Sequence, residues 1–260
     1  MNASHSAIHV AAVGDLHCSR SSSEALRPLL ASLPAAADVL LLCGDLVDHG
    51  LADEARILAR EISSTVRVPV IAVLGNHDVE AGEEAQITSI LEDIGVQVLD
   101  GGSCEVAGVG FAGIKGFAGG FGTHALGSWG EPVIKSFVQE AVNEALKLEA
   151  ALVHLSTAQR VVVLHYSPIA ATVAGEAAEV SPFLGSSRLE EPINRYAVAA
   201  VFHGHAHGGA VDGHTATGVP VYNVAAPLLQ RKFPDRPPFR IIEIESGAPA
   251  SVDAEAASGV

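Results

Sequence analysis

Five apolar, β-branched runs in this chain each stop abruptly at residues able to bind metal. IHVAAV leads into Gly14, Asp15, Leu16 and His17, and VLLLC leads into Gly44, Asp45, Leu46, Val47 and Asp48. VIAVL ends at Gly75, Asn76, His77 and Asp78, VVVL at His165, and AVAAVF at His203, Gly204, His205, Ala206 and His207. Short apolar runs bounded by Gly and Asp read as buried strands. In open α/β sheets, ligands sit where strands end at their carboxyl edges. The pattern therefore predicts a metal site assembled from across the chain on one sheet edge.

Helical periodicity separates the first runs, over about residues 21–33, 51–65 and 83–94. Strand and helix in alternation imply a parallel sheet for the first third. After Gly95 the rhythm changes to VQVLD, SCEVAG and VGFAGI, which suggests antiparallel strands. Residues 113–130 are glycine-rich, and a loop of that length is expected to carry function or to be disordered. Residues 131–157 read as one long helix with Pro132 at its start, where a missing N–H does no harm. A shorter helix is expected over residues 182–196, with Pro192 as a kink. VPVYNVAAPLL and FRIIEIE read as strands closing a second sheet. Residues 1–245 are expected as a single domain, and residues 246–260, rich in Ala, Ser and Gly, as a disordered tail.

The chain has 260 residues, 48% of them hydrophobic, enough for a large core. Asp, Gly or His interrupts each apolar stretch before it reaches the length of a membrane span. The first residues, MNASHSAIHV, lack the basic region and apolar core of a secretory signal. Cys18, Cys43 and Cys104 show no paired spacing, so a reducing, cytoplasmic setting is expected. The formal net charge is -15. A long polyanion needs a Lys/Arg stripe, so duplex nucleic acid is excluded as an expected partner. A homodimer is the default expectation for assembly.

Asp15 and His17 lie two apart, as do His205 and His207, which on an extended segment points each pair to one side. Burying so many polar groups without partners would cost roughly 1–3 kcal/mol each. Metal coordination offsets that cost. Mixed imidazole, carboxylate and amide donors suit Mn, Fe or Zn better than Mg or Ca.

The blocks D-x-H, G-D-x-x-D, G-N-H-D, a lone His and G-H-x-H occur in order from Gly14 to His207. In this the chain resembles the calcineurin-like metallophosphoesterases. The resemblance implies a four-layer α/β/β/α sandwich of two mixed sheets flanked by helices, with a dinuclear metal centre. It implies that Asp15, His17 and His207 hold one ion, that Asn76, His165 and His205 hold the other, and that Asp45 bridges them. Two-metal sites lower the pKa of bound water, so a bridging hydroxide is the expected nucleophile. By the same resemblance His77 contacts the phosphate and protonates the leaving oxygen. Asp48 would hold the His77 imidazole, and Asp78 would orient a ligand or the loop.

Departures from the family pattern bear on the substrate. His49, in GDLVDHG, stands where phosphoprotein phosphatases carry a phosphate-gripping Arg, which disfavours protein dephosphorylation. The fourth block reads His165, Tyr166, Ser167 and Pro168 where related cyclic-nucleotide phosphodiesterases often have His-His-Pro. Lys115, just after a predicted strand, and His49 are the candidate substrate contacts. The expected function is hydrolysis of a small phosphorylated substrate, a phosphodiester or nucleotide-like ester. The alternative is a non-catalytic metal-binding interaction module with the same fold. Relatives of that kind lose ligands or the general-acid His, and this chain keeps all eight positions.

Overall fold

Alternate residues of VLLLC face different cores, as a strand buried on both faces requires. The computed structural model describes residues 6–246. The first half runs β1 (Ser6–Val13), α1 (Ser23–Ala31), β2 (Val39–Cys43), α2 (Ala52–Thr65), β3 (Val70–Val73), α3 (Glu84–Glu92) and β4 (Gln97–Val98). Then come β5 (Gly102–Val106), β6 (Val109–Gly113), α4 (Pro132–Val153), β7 (Gln159–Val163), α5 (Glu190–Arg195) and β8 (Val198–His203). β9 (Asp212–His214), β10 (Pro220–Asn223), α6 (Ala226–Lys232) and β11 (Arg240–Ser246) complete the described chain.

Two mixed sheets result, in the strand orders β11-β1-β2-β3-β4 and β5-β6-β7-β8-β10-β9. β1 to β4 are parallel, with β11 antiparallel on the edge. β6, β7, β8 and β10 are parallel, with β5 and β9 antiparallel at the two edges. Three apolar cores fill the spaces of the four-layer sandwich. Leu40 and Leu42 of β2 pack with Leu58 and Ile62 of α2 and Ile87 of α3. Leu41 and Cys43 face the other way, to Phe111, Val163 and Phe202 of the second sheet. Val162 and Val201 turn outward to Leu148 and Leu152 of α4 and Ile193 of α5. No helix among the described residues is long and apolar enough to cross a membrane.

Several local expectations need correction. β4 pairs parallel with β3, so only β5 and β6 form the antiparallel pair expected after Gly95. β11 closes the first sheet against β1 and not the second. The strand expected along VPVYNVAAPLL stops at Asn223, and α6 begins at Ala226, with Pro227 in its first turn, where no N–H is needed. The helix expected over 182–196 is a single 3-10 turn, Ser181–Phe183, followed by the six-residue α5. Pro192 sits in the first turn of α5 and neither kinks nor breaks it. Ser246 ends β11, and the remainder of the expected tail lies outside the described residues.

Candidate metal centre

All the predicted ligands lie just past the carboxyl ends of parallel strands: Asp15 and His17 after β1, Asp45 after β2, Asn76 after β3, His165 after β7, and His205 and His207 after β8. Their donor atoms form overlapping groups, each with all atoms within 4.8 Å: Asp15, His17 and His207; His17, Asp45 and His77; Asp45, His165 and His205. Asp45 lies between the two predicted sets, with Oδ2 3.9 Å from His17 Nε2 and Oδ1 3.4 Å from His165 Nε2. The segments are not extended as expected. Asp15 (φ 58°), His17 (φ 43°), Asp45 (φ 47°) and His205 (φ 68°) are left-handed. Non-glycine residues held there carry backbone strain of about 1–3 kcal/mol each, and such residues cluster at functional sites.

The glycines of the blocks make room for ligands. A Cβ on Gly75 would lie 2.1 Å from Asp45 Oδ1, and one on Gly204 would lie 2.4 Å from Asp15 Oδ2. Each of these carboxylates accepts a main-chain N–H from the block it touches. His77 N donates to Asp45 Oδ1 at 2.8 Å, and His205 N donates to Asp15 at 3.0 Å.

Hydrogen bonds also fix which ring nitrogen of each His is free. His165 Nδ1 lies 3.0 Å from the Cys43 carbonyl, and its Nε2 lies 2.9 Å from Asn76 Oδ1 and 3.4 Å from Asp45 Oδ1. The fully buried ring is thus ringed by oxygen acceptors. With both ring nitrogens facing oxygens, Nε2 is placed to hold a second proton or a cation, which is the fit a metal requires. His205 Nε2 faces the Phe183 carbonyl at 3.3 Å, which leaves Nδ1 for a metal. His207 Nε2 lies 2.9 Å from Asp15 Oδ1.

The titration behaviour follows the same geometry. Burial alone would raise Asp45, but the charges of His165 and His77 and their hydrogen bonds hold its carboxyl well below the usual range. Burial alone would lower His165; Asp45 and Asp15 outweigh it and raise the ring to about 9. Burial and the neighbouring His165 charge push His205 down to about 3. The carboxylates thus favour the charged form of His165, while burial and the His165 charge favour the neutral form of His205.

Asp48 is placed differently from expectation. The His77 ring is held by the Asp48 main-chain carbonyl, with Nδ1 at 2.7 Å. The Asp48 carboxylate instead approaches His17 Nδ1 at 3.2 Å, off the axis of a hydrogen bond, and His49 Nδ1 at 3.6 Å. Glu54, buried on α2, was not foreseen; it accepts both the main-chain N–H of His49 and, at 2.9 Å, its Nδ1. That contact raises the His49 pKa. An apolar helix start with an acidic first turn was the available signal, but nothing in it singled out Glu54.

Asp78 is fully buried and accepts main-chain N–H groups of Leu46 (3.1 Å), Val47 (2.8 Å) and Gly75 (2.6 Å). It ties the Asp45 loop to the Asn76 loop. Burial pushes it up to about 6 against the pull of those three donors. Asp78→Ala leaves three buried donors unmet and should cost about 3 kcal/mol or more. The urea midpoint should fall at unchanged m-value, and a midpoint equal to wild type would refute the clamp.

Lys115 lies beside His165, whose N–H its carbonyl accepts at 3.1 Å. Its ammonium rests 5.3 Å from the Phe117 and Tyr166 ring centroids and donates to Gly116 O at 3.1 Å. Burial lowers its pKa. The glycine-rich 113–130 segment is folded against residues 182–187, with Gly119 N on Pro182 O and Gly120 N on Gly185 O, both at 2.9 Å. The same segment brings the Phe183 carbonyl to His205. Trp129 is 65% exposed, with its ring over Gly127. Arg188 is spent on the Leu126 carbonyl and Arg231 on the His207 carbonyl. The Cys18 thiol, pushed up to about 12 by burial and by Glu54, is an unreactive buried group. His203 is a buried neutral ring between Gly204 O and Thr172 Oγ1, pushed down to about 4 by burial.

Two mixed sheets flanked by helices, with an Asp, Asn and His cluster able to hold metal at their carboxyl edges, define a layered α/β fold. A sequence model of the calcineurin-like phosphoesterases matches residues 8–209, and the chain belongs to that family, whose members are generally metal-dependent phosphoesterases. No curated protein matches the chain. Among solved structures it is similar to the phosphopantetheinyl hydrolase PptH from Mycobacterium tuberculosis, with a TM-score of 0.65 and 16% identity over 96% of this chain and 98% of that one. It is also similar to TT1561 of Thermus thermophilus, with a TM-score of 0.55 and 14% identity over 93% and 100% of the two chains. GAP50, the anchor in the inner membrane complex of Plasmodium, aligns with a TM-score of 0.51 and 13% identity over 85% and 72%. At these identities the shared property is the fold.

Proposed function

We propose that the protein is a dinuclear metal-dependent phosphoesterase acting on a small phosphodiester or nucleotide-like substrate. The observation that carries this reading is the place of Asp45, whose two carboxylate oxygens approach His17 of one proposed set and His165 of the other. Asp15, His17 and His207 would hold one divalent ion, and Asn76, His165 and His205 the other, Mn, Fe or Zn by donor type. When bound, the ions supply Lewis acidity and an activated water.

The remaining work falls to the chain. Asp15 and Asp45, fixed by main-chain N–H groups, hold the centre rigid. His77, with Nδ1 committed to the Asp48 carbonyl, presents Nε2 as the proton donor to the leaving oxygen. The Asp48 carbonyl orients His77, and its carboxylate places negative charge beside His17. Lys115 and His49 are the proposed contacts to the charged part of the substrate. The His49 ring is gripped by Glu54 at Nδ1, so Nε2 is the atom it offers.

The test is hydrolysis of bis-p-nitrophenyl phosphate and p-nitrophenyl phosphate with and without Mn²⁺, alongside metal analysis. The expected result is Mn²⁺-dependent turnover, faster on the diester, with two ions per chain. Two bound ions without turnover of either ester would favour a non-catalytic metal-binding module.

A further inference from the structure

The wall beside Asp15 and His17 bears on what the phosphate is attached to. A cavity of about 290 Å³ opens between α1 and α6, and Asp15 and His17 are part of its lining. The cavity therefore adjoins the segment that carries two of the proposed ligands. A larger cavity of about 440 Å³ lies at Leu74, Val79 and Lys115, but no proposed ligand lines it.

Both walls of the smaller cleft are fastened to the ligand segment itself. Ser22, at the start of α1, donates its hydroxyl to the His17 carbonyl at 3.1 Å. Ala226 N, at the start of α6, donates to the Gly14 carbonyl at 3.0 Å. The fold therefore builds the cleft and the metal centre as one unit.

The cleft's chemistry is one-sided. Leu16, Leu26 and Leu29 line it from one side and Ala226 and Pro227 from the other, with exposed Ala25 at the mouth. Apart from Asp15 and His17, its polar side chains are Ser22 and Gln230. The Ser22 hydroxyl is already taken by His17 O and Ser19 N. Among the residues lining the cleft, Gln230 alone carries a side-chain amide. A sugar with several hydroxyls would find Gln230 as its one uncommitted side-chain partner in the cleft, and a second charged group would find no charged side chain beyond the proposed ligands. An aliphatic arm would gain up to about fourfold in binding for each methylene fully buried.

We propose that the α1/α6 cleft receives an uncharged, mainly apolar arm esterified to the phosphate, so that the substrate is an amphiphilic small phosphoester. This rests on the phosphoesterase reading and narrows its substrate class. The test uses the Mn²⁺-loaded full chain and p-nitrophenyl phosphodiesters whose second arm is methyl, hexyl or choline. Hexyl should exceed methyl by at least about tenfold in kcat/KM, and choline should not exceed methyl. Because the aryl group could itself enter the cleft, calorimetry with hexylphosphonate and methylphosphonate supplies a second readout. Hexylphosphonate should bind more tightly, with a more negative heat-capacity change. Ala25→Glu should bring the hexyl-to-methyl ratio close to one. Equal kcat/KM for hexyl and methyl, with equal phosphonate affinities, would overturn the cleft assignment and leave the phosphoesterase reading standing. Absence of turnover on every diester, together with absence of phosphonate binding, would overturn both.

Discussion

Replacing His77 by alanine should leave metal content unchanged and lower kcat by about 10²–10⁴-fold on an ester with a poor leaving group. The His77 side chain is 38% exposed, and its ring lies edge-on to His17 with centroids 4.6 Å apart. Its main-chain N–H is held by Asp45 and its Nδ1 by the Asp48 carbonyl. A carbonyl can only accept, so Nδ1 carries the proton of the neutral ring, and Nε2 is the end available to exchange one with substrate. Loss of the ring removes a proton donor without removing a ligand. A leaving group such as p-nitrophenolate departs unprotonated, so the same variant should lose far less on p-nitrophenyl esters. An equal loss on alkyl and p-nitrophenyl leaving groups would show that His77 acts by binding rather than by proton transfer.

The candidate donor set was legible because donor type and strand end are both local properties. An apolar run stopped by Gly-Asp or Gly-Asn-His states the strand, its end and the donor together. How the donors reach one another was not legible. Asp15 and His17 meet their partners through left-handed backbone and not through alternation along a strand, a choice that nothing in D-x-H announces. The contact to His77 comes from a main-chain carbonyl, which every residue has, so the identity of Asp48 pointed to the wrong atom. Strand partners are non-local. Nothing in FRIIEIE tells that it pairs with IHVAAV. AAPLLQRK shows the limit of apolar runs, which a short helix and a strand share until Pro227 is placed in a first turn. The four layers were recoverable from the resemblance, and their cores agree with the alternation in VLLLC and VVVL.

Asp45→Asn should reduce bound metal from two ions to one or fewer. It should also lower activity by more than the roughly 10–100-fold typical of changes to outer residues around a metal. The substitution is nearly isosteric and keeps an oxygen for the His77 N–H, so what it removes is charge. Asp45 is buried and lies between the two proposed ligand sets, and its carboxylate is the strongest of the charges that raise His165. In metal-free protein the His165 pKa of about 9 lies above the ordinary value near 6.5. The stabilisation linked to that proton is complete below pH 6.5 and is lost as pH rises through about 9. Metal must displace the same proton, so apparent affinity should rise with pH over this window. Asp45→Asn removes the charge that holds the proton. Metal-free Asp45→Asn should therefore show a lower His165 pKa by NMR and a flatter stability profile between about pH 6.5 and 9. A variant that kept two ions would mean that Asp45 does not bridge them, and one that kept the wild-type His165 titration would mean that Asp45 does not govern the proton they replace.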